Sequence, residues 1–376
     1  MKGRVVVAMS GGIDSSVCAW MLKQDGWDVI GVSMQLHMTP EGKGTAGPCC
    51  SARDFGDAKA VAETIGIPHY VVNYTDEFRE KVIRPFIETY LKGMTPSPCI
   101  LCNTHVKFFR LMHFAQSLGA GYLATGHYAA INRDEAIDRH ILLRGTDPRK
   151  DQSYFLFELE QDQLRKTLFP LGRYRKQDVR ELAASARLPV ARKAESQEIC
   201  FIPDGDYTGY IDRALEAGEC EGRRQPGPIV LRDGTPVGTH HGLHHYTVGQ
   251  RRGLGGGRGG PLYVIGIDAC ANRLVVGEKA DVFSRRFQAT RCNWVAVPSL
   301  DAPVEADVKI RSAAKPARAR IEPLPGGRVA VTFETPQSAV TPGQAAVFYW
   351  EDVVLGGGWI YHVDHAVAPS PRPPQA

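Results

Sequence analysis

Nowhere in these 376 residues does an uninterrupted apolar run approach the ~18 residues that a membrane-spanning helix needs. The first such run, Val5 to Met9, is cut off by Ser10, Gly11 and Gly12, so neither a secreted nor a membrane-embedded protein is expected from any visible signal. One-sided charge is also missing. Forty-five Lys and Arg stand against 41 Asp and Glu, a formal net charge of +4, which is too small to announce nucleic-acid binding by itself. With 43% hydrophobic and 23% charged residues, disorder of the whole chain is excluded. No internal repeat is found, and the turn after the first strand, at Ser10-Gly11-Gly12, carries neither of two common phosphate signatures: it has no Gly-Lys-Ser/Thr and no G-x-G-x-x-G. Nine cysteines make an odd number in a chain too long to need disulfide staples. A reducing cytosol with mostly free thiols is the expectation. At roughly 100–200 residues per domain, the length suggests two or three domains.

Up to about residue 130, short β-branched runs alternate with amphipathic stretches. Residues 4–9, 28–34, 69–73 and 122–125 read as strands, and 16–24, 54–65, 77–91 and 103–118 as helices. Such alternation builds a parallel sheet with helices on both faces, and ligands then sit beyond the carboxyl ends of the strands. Residues 161–186 are helical in pattern and lead into a polar loop carrying Cys200. From about Gly227 the texture changes to short strands separated by Gly and Pro, which is all-β material: one small domain, then a barrel or sandwich. The expected boundaries are 1–205, 206–282 and 283–366, with a disordered tail at 367–376.

Between the first strand and first helix lies Ser10-Gly11-Gly12-Ile13-Asp14-Ser15-Ser16. Glycines there let the backbone turn tightly and present N–H groups, the helix adds its positive end, and the serines add hydroxyls: a phosphate site. Asp14 would be odd beside phosphates unless a cation bridged them, which points to Mg²⁺–pyrophosphate rather than a bare structural turn. A second motif, Ser97-Pro98-Cys99-Ile100-Leu101-Cys102-Asn103, places cysteines at the start of the helix expected from Asn103. A thiol at a helix N-terminus has its pKa lowered and is nucleophilic, and Cys102 is the first candidate. Buried packing and metal or Fe–S ligation are the alternatives. Cys200, in the loop after Glu195, joins Cys99 and Cys102 either as a thiol relay or as a three-cysteine cluster site. Cys18, Cys220, Cys270 and Cys292 read as inert, and Cys49-Cys50 as loop packing. His240-His241 and His244-His245 read as a polar turn, because no carboxylate or cysteine is arranged around them in the sequence.

These strings, together with Ala124-Thr125-Gly126-His127-Tyr128, Lys150-Asp151-Gln152, Tyr246-Thr247-Val248-Gly249-Gln250-Arg251 and Thr341-Pro342-Gly343-Gln344, occur in an order and density that resembles the bacterial tRNA-specific 2-thiouridylase family over nearly the whole chain. The resemblance implies an adenine-nucleotide hydrolase-like α/β domain with a pyrophosphatase loop, a small β-rich central domain and a C-terminal β-barrel. It implies a cytoplasmic tRNA-uridine 2-sulfurtransferase. ATP, with Mg²⁺, adenylates the C2 oxygen of the wobble uridine in the anticodon arm, and sulfur from a persulfide donor protein replaces that oxygen. By position, Cys102 matches the nucleophile and Cys200 the persulfide-bearing cysteine, and a disulfide forms between such thiols. Ala8, Met9, Ser10, Gly11, Gly12, Ile13, Asp14, Ser15, Met34 and Gly126 match ATP contacts. Ser97, Pro98 and Cys99 match the stretch that meets the target base. His127, Lys150, Asp151, Gln152, Arg311, Ser312 and Gln344 match tRNA contacts.

One departure stands out: many members carry Asp where this chain has Cys99. A [4Fe–4S] cluster on Cys99, Cys102 and Cys200 therefore competes with the persulfide route. Lys309, Arg311, Lys315, Arg318 and Arg320, with Arg251, Arg252 and Arg258, offer basic ground for RNA. Two rival functions are a ligase of the same loop type acting on a small metabolite and a non-catalytic tRNA-binding protein. The first lacks an ammonia-supplying block, and the intact turn and thiols speak against the second.

Overall fold

The computed structural model describes residues 2–37, 52–194, 199–220, 225–254 and 260–364. Cys49, Cys50, Arg258, residues 195–198 of the loop that carries Cys200 and the tail expected at 367–376 lie outside them.

Strand β1 (Arg4–Ala8) leads into α1 (Ile13–Gln24), β2 (Asp28–Gln35), α2 (Ala52–Ile65) and β3 (His69–Asn73). Two long helices follow. One, α3, joins Thr75–Phe78, Arg79–Ile83 and Arg84–Leu91. The other, α4, joins Pro98–Leu101, Cys102–Leu111 and Met112–Ser117. After β4 (Tyr122–Ala124), a hairpin of β5 (Ala129–Asp134) and β6 (Arg139–Arg144) leaves the sheet, and β7 (Thr167–Leu168) returns to it. The strand order is β3-β2-β1-β4-β7, with all neighbours parallel. Val5, Val6 and Val7 are fully buried. Val5 and Val7 belong to the core under α1 and α2, and Val6 to the core under α4. This is why β1 reads as an unbroken apolar run: a central parallel strand is covered on both faces.

The helix expected over 103–118 begins at Pro98, because proline is favoured in a first turn and Ser97 precedes it. Cys99 is therefore in the first turn, and Cys102 lies one turn deeper, where the helix-end dipole fades. At Cys102 the helix widens into i→i+5 turns that run to Leu111, a geometry concentrated at functional sites. The continuous helical pattern expected over 161–186 is broken into Gln161–Arg165, β7, a 3₁₀ turn Pro170–Arg173 and α5 (Lys176–Ser185). Pro170 cannot donate a helical hydrogen bond, and Gly172 packs against Ala129, where a Cβ would lie 1.9 Å from its carbonyl oxygen.

Helix α6 (Tyr207–Glu216) precedes a small sheet of β8 (Gly227–Leu231), β9 (Pro236–His240), β10 (Tyr263–Asp268) and β11 (Arg273–Gly277), ordered β10-β11-β8-β9. The last unit holds β12 (Phe283–Trp294), β13 (Val304–Lys309), β14 (Ala317–Leu324), β15 (Arg328–Ser338), β16 (Ala345–Trp350) and β17 (Val353–Val363). Its order β12-β15-β14-β13-β16-β17 closes through β12–β17 pairing, so it is a barrel and not a sandwich. The β5–β6 hairpin attaches to this barrel, with Leu143 opposite Val353. One hydrophobic cluster accordingly runs from Val6 and Leu123 in the parallel sheet to Ala345, Tyr349 and Trp359 in the barrel. At Gly357 a Cβ would meet Phe157 at 2.6 Å, so glycine lets that ring seat on the barrel wall.

Candidate active site

The parallel strands end on a cavity of about 380 Å³. Ala8, Met9, Ser10, Asp14 and Ser15 line it from the first turn, Met34 and Leu36 from the end of β2, and Thr125, Gly126 and His127 from the end of β4. Pro98, Cys99, Cys102 and Lys107 face it from α4, and Cys200 and Phe201 close another side.

The first turn is organised by its own serines. Ser15 Oγ accepts from the Ser10 N–H (3.1 Å), and Ser16 Oγ donates to the Gly12 carbonyl (2.8 Å). Gly12 caps α1 without any side-chain hydrogen bond to the helix end, so the first-turn N–H groups are not claimed by a cap. Gly11 has φ +69°, and a Cβ there would lie 2.3 Å from the Asp54 carbonyl oxygen. Gly126 admits the helix end from the other side: a Cβ would sit 2.8 Å from the Asp14 carbonyl carbon and the Ser15 nitrogen. Gly11, Gly12 and Ile13 thus shape the turn from behind, while the other expected nucleotide positions line the cavity.

Asp14 accepts from Lys176 Nζ at both oxygens (2.7 and 2.8 Å) and from the Tyr128 hydroxyl (2.8 Å). The lysine is fixed in turn, since its N–H donates to buried Asp147 (3.1 Å). Lys193 Nζ donates to the Gly11 carbonyl (3.0 Å), to Asp54 (2.7 Å) and to Asp57 (2.5 Å). Burial pulls the Lys193 pKa down, but the bonds and charges of the two carboxylates outweigh that and leave it raised. His127 is buried beside Thr125, with 2.7 Å between its Nδ1 and the hydroxyl. Burial, and then the Lys107 charge, hold its pKa well below the ordinary 6.5, so the ring is neutral.

Cys102 is buried, Cys200 half-buried and Cys99 exposed, all as reduced thiols on the one cavity. Cys102 and Cys200 pack in the same cluster, where Phe201 is wedged edge-on against Phe78 (5.7 Å) and Phe86 (5.2 Å). His37 hydrogen-bonds the Cys200 backbone, yet its pKa is lowered because burial outweighs that bond. Three of the other thiols sit where the thiolate is disfavoured, while Cys270 is exposed. Burial raises the pKa of Cys18 and Cys220 and pushes Cys292 up to about 12.

The positions expected at tRNA are spread more widely. His127 and Gln152 line the cavity. Gln152 accepts from the Tyr128 N–H (2.9 Å), and Asp151 accepts from the N–H groups of Gly145 (3.1 Å) and Ser153 (3.0 Å). Gln344 donates to the carbonyls of Pro96 (2.8 Å) and Thr95 (3.3 Å), just ahead of the α4 thiols. Arg311 donates to the Ser338 carbonyl (3.0 Å), beside exposed Ser312. The basic segment does not form one face. Half-buried Lys309 faces Asp151 and Arg144, whereas Lys315, Arg318 and Arg320 are exposed. Tyr128, quoted only as the end of a family-like string, and Lys176, Lys193 and His37 have no role expected from the sequence. No spacing signal leads to them, since Lys176 and Lys193 reach partners 162 and 139 positions away.

Three family models match in chain order: a tRNA methyl transferase HUP domain over residues 3–204, a tRNA methyl transferase PRC-barrel domain over 220–278 and an aminomethyltransferase beta-barrel domain over 284–360. The tRNA-specific 2-thiouridylase MnmA of Solibacter usitatus is 49% identical over 367 residues, covering 95% of this chain and 98% of that protein. Its namesake from Heliobacterium modesticaldum is 50% identical, covering 96% and 93%. Among solved structures, the U34-tRNA thiolase NcsA from Methanococcus maripaludis aligns at a TM-score of 0.33 and 20% identity, over 57% of this chain and 66% of that one. Matched at about half identity along nearly its whole length, with the serine-rich turn and three thiols on one cavity, this chain belongs to the tRNA-specific 2-thiouridylase family.

Proposed function

We propose that the protein is an ATP-dependent tRNA-uridine 2-sulfurtransferase acting in the cytoplasm on the wobble uridine of the anticodon arm. The observation that carries this reading is the shared cavity, which brings the α1 turn and the thiols Cys102 and Cys200 onto one space. An uncapped helix end and a glycine cradle at Gly126 fit a nucleotide phosphate. Asp14 is the one carboxylate among the described lining residues. Mg²⁺ arriving with ATP would neutralise phosphate charge, and it would share Asp14 with Lys176.

The uridine C2 oxygen attacks the α-phosphorus of ATP, pyrophosphate departs and the N3 proton is released. The poor carbonyl leaving group has become AMP. The outer sulfur of a persulfide on Cys200, loaded by a donor protein, attacks C2, and AMP leaves. Cys102 thiolate then attacks the inner sulfur, which breaks the sulfur–sulfur bond and leaves a Cys102–Cys200 disulfide. The N3 proton is regained on the thiolated base, and an external dithiol reduces the enzyme. Ser97, Pro98 and Cys99 face the base. His127, Lys150, Asp151, Gln152, Arg311, Ser312 and Gln344 serve tRNA binding, Asp151, Gln152 and Gln344 acting through the loops that they hold. A second reading rests on Cys99 lining the same cavity: Cys99, Cys102 and Cys200 would hold a [4Fe–4S] cluster, which supplies an iron site for sulfide.

Unmodified tRNA, ATP, Mg²⁺ and a persulfide donor should yield thiolated uridine, AMP and pyrophosphate in equal amounts, and Cys102→Ala or Cys200→Ala should abolish thiolation. AMP without RNA thiolation would indicate another acceptor. Iron and sulfide in anaerobically purified protein, lost in Cys99→Ala, would replace the relay with the cluster. For the RNA surface, exchanging exposed Lys315 and Arg318 for Gln should weaken tRNA binding and flatten its salt dependence. An unchanged slope removes that ground from the interface.

A further inference from the structure

The polar turn expected around the paired histidines has a carboxylate that the sequence does not reveal. Asp212, on α6, reaches the 3₁₀ turn Leu243–His245 that precedes Tyr246. His244 Nε2 lies 2.8 Å from Asp212 Oδ1, and His245 Nε2 lies 3.4 Å from Asp212 Oδ2. The three ligand atoms all fall within 4.8 Å of one another, and the imidazole rings are 4.4 Å apart. From this arrangement we infer that Asp212, His244 and His245 form a binding site for a late first-row divalent metal such as zinc, distinct from the sulfur chemistry of the cavity.

Bonds of about 2.0–2.2 Å around a tetrahedral ion put neighbouring ligands roughly 3.3–3.6 Å apart. The observed edges bracket the lower end of that span, so a small rotation of either ring admits the ion. Two imidazoles and one carboxylate are a donor set suited to zinc, with a fourth position left for water. His244 is 2% exposed, whereas Asp212 and His245 keep 19% and 25% of their side-chain surface, which leaves an entry from solvent on their side. The neighbouring His240 is already committed: its Nδ1 accepts from the Gly242 N–H (3.2 Å), and its Nε2 is 3.0 Å from the Asn272 carbonyl. Gly242, at φ +143°, folds the chain back so that both later rings face Asp212; a Cβ there would meet His244 at 2.8 Å. The backbone frame is rigid on the helical side as well. Tyr207 of α6 stacks on Tyr90 (4.7 Å), and Tyr210 lies against Phe201 (5.5 Å). A bound ion would tie the helix that follows the Cys200 segment to the turn that follows β9 of the small sheet.

The untagged full chain with Cys99, Cys102 and Cys200 changed to Ser removes competing thiols, and a parallel sample of unsubstituted chain with alkylated thiols guards against damage by those changes. Titrated with Co²⁺, both should bind one ion per chain with visible d–d bands and no thiolate charge-transfer band, and Zn²⁺ should displace it. Zn²⁺ should raise the melting temperature. Asp212→Asn, which preserves shape, and His245→Ala should each weaken Co²⁺ binding more than tenfold and abolish the zinc-dependent rise. Absence of the bands in both parent samples, or equal affinity and equal zinc response in Asp212→Asn, overturns the site.

Discussion

His127 shows how much a single buried ring can weigh on acid stability. Its pKa lies well below 6.5 because burial and Lys107 disfavour its charged form. Above about pH 6.5 both the native and unfolded rings are neutral; below it the unfolded chain binds a proton that the native one refuses, so stability falls as pH falls. Up to about 1.4 kcal/mol per pH unit is at stake for one such group. His37, His69, His105, His140 and His240 are displaced in the same direction. The urea midpoint should therefore drop between pH 7.5 and 5.5, and His127→Gln should drop less steeply. Lys176 is the other residue that decides something alone. Lys176→Met takes from Asp14, at the proposed phosphate site, the lysine that bonds both its oxygens, and the less matched carboxylate should weaken ATP binding about tenfold, ~1.4 kcal/mol, by calorimetry.

At the scale of elements, the junction of β1, its turn and α1 is legible because everything that defines it is local: a β-branched run, two glycines, serines and then a helix. The α4 start lies five residues before the expected Asn103, because Ser97 and Pro98 form a helix entry. Lys193 was unreadable for a different reason, since its value comes from α2 and the Gly11 carbonyl meeting in space. The same contrast holds for Asp212, which acquires meaning only when α6 packs beside His244. Gly126 gives an element-scale test. In Gly126→Ala the added methyl must push the first turn of α1 by several tenths of an ångström, since 2.8 Å to its backbone is closer than carbon atoms approach. The fold should survive with a loss of about 1–3 kcal/mol, while ATP-dependent thiolation falls far more than tRNA binding. Equal losses in both would mean that the cradle is not specific to the nucleotide.

Across the whole molecule, the α/β unit and the C-terminal barrel share more than a chain. Trp359 of the barrel donates its indole N–H to Glu158 (2.6 Å), which also accepts from Thr104 of α4 (2.7 Å). Phe157 and Trp359 meet edge to face at 6.3 Å. The sheet and barrel should therefore melt together. Trp359→Ala, which empties a site in the shared core and takes the indole partner from one Glu158 oxygen, should cost about 3–5 kcal/mol and lower one common transition. A separate barrel transition in calorimetry would contradict that coupling.

Such sharing bears on how the parts can be exchanged. The barrel loop reaches α4 through backbone: the Thr95 N–H donates to the Pro342 carbonyl (2.9 Å), and Gly343, at φ +89°, has no room for a side chain, since a Cβ would lie 2.8 Å from the Thr95 carbonyl oxygen. A chimera that grafts a foreign barrel onto this α/β unit therefore inherits a fitting problem at Pro342, Gly343 and Gln344. A graft that keeps Pro-Gly-Gln at 342–344 seats flush, whereas one that does not levers the helix carrying Cys99 and Cys102 away from its cavity. The barrel is a part whose interchangeability is decided by a three-residue latch.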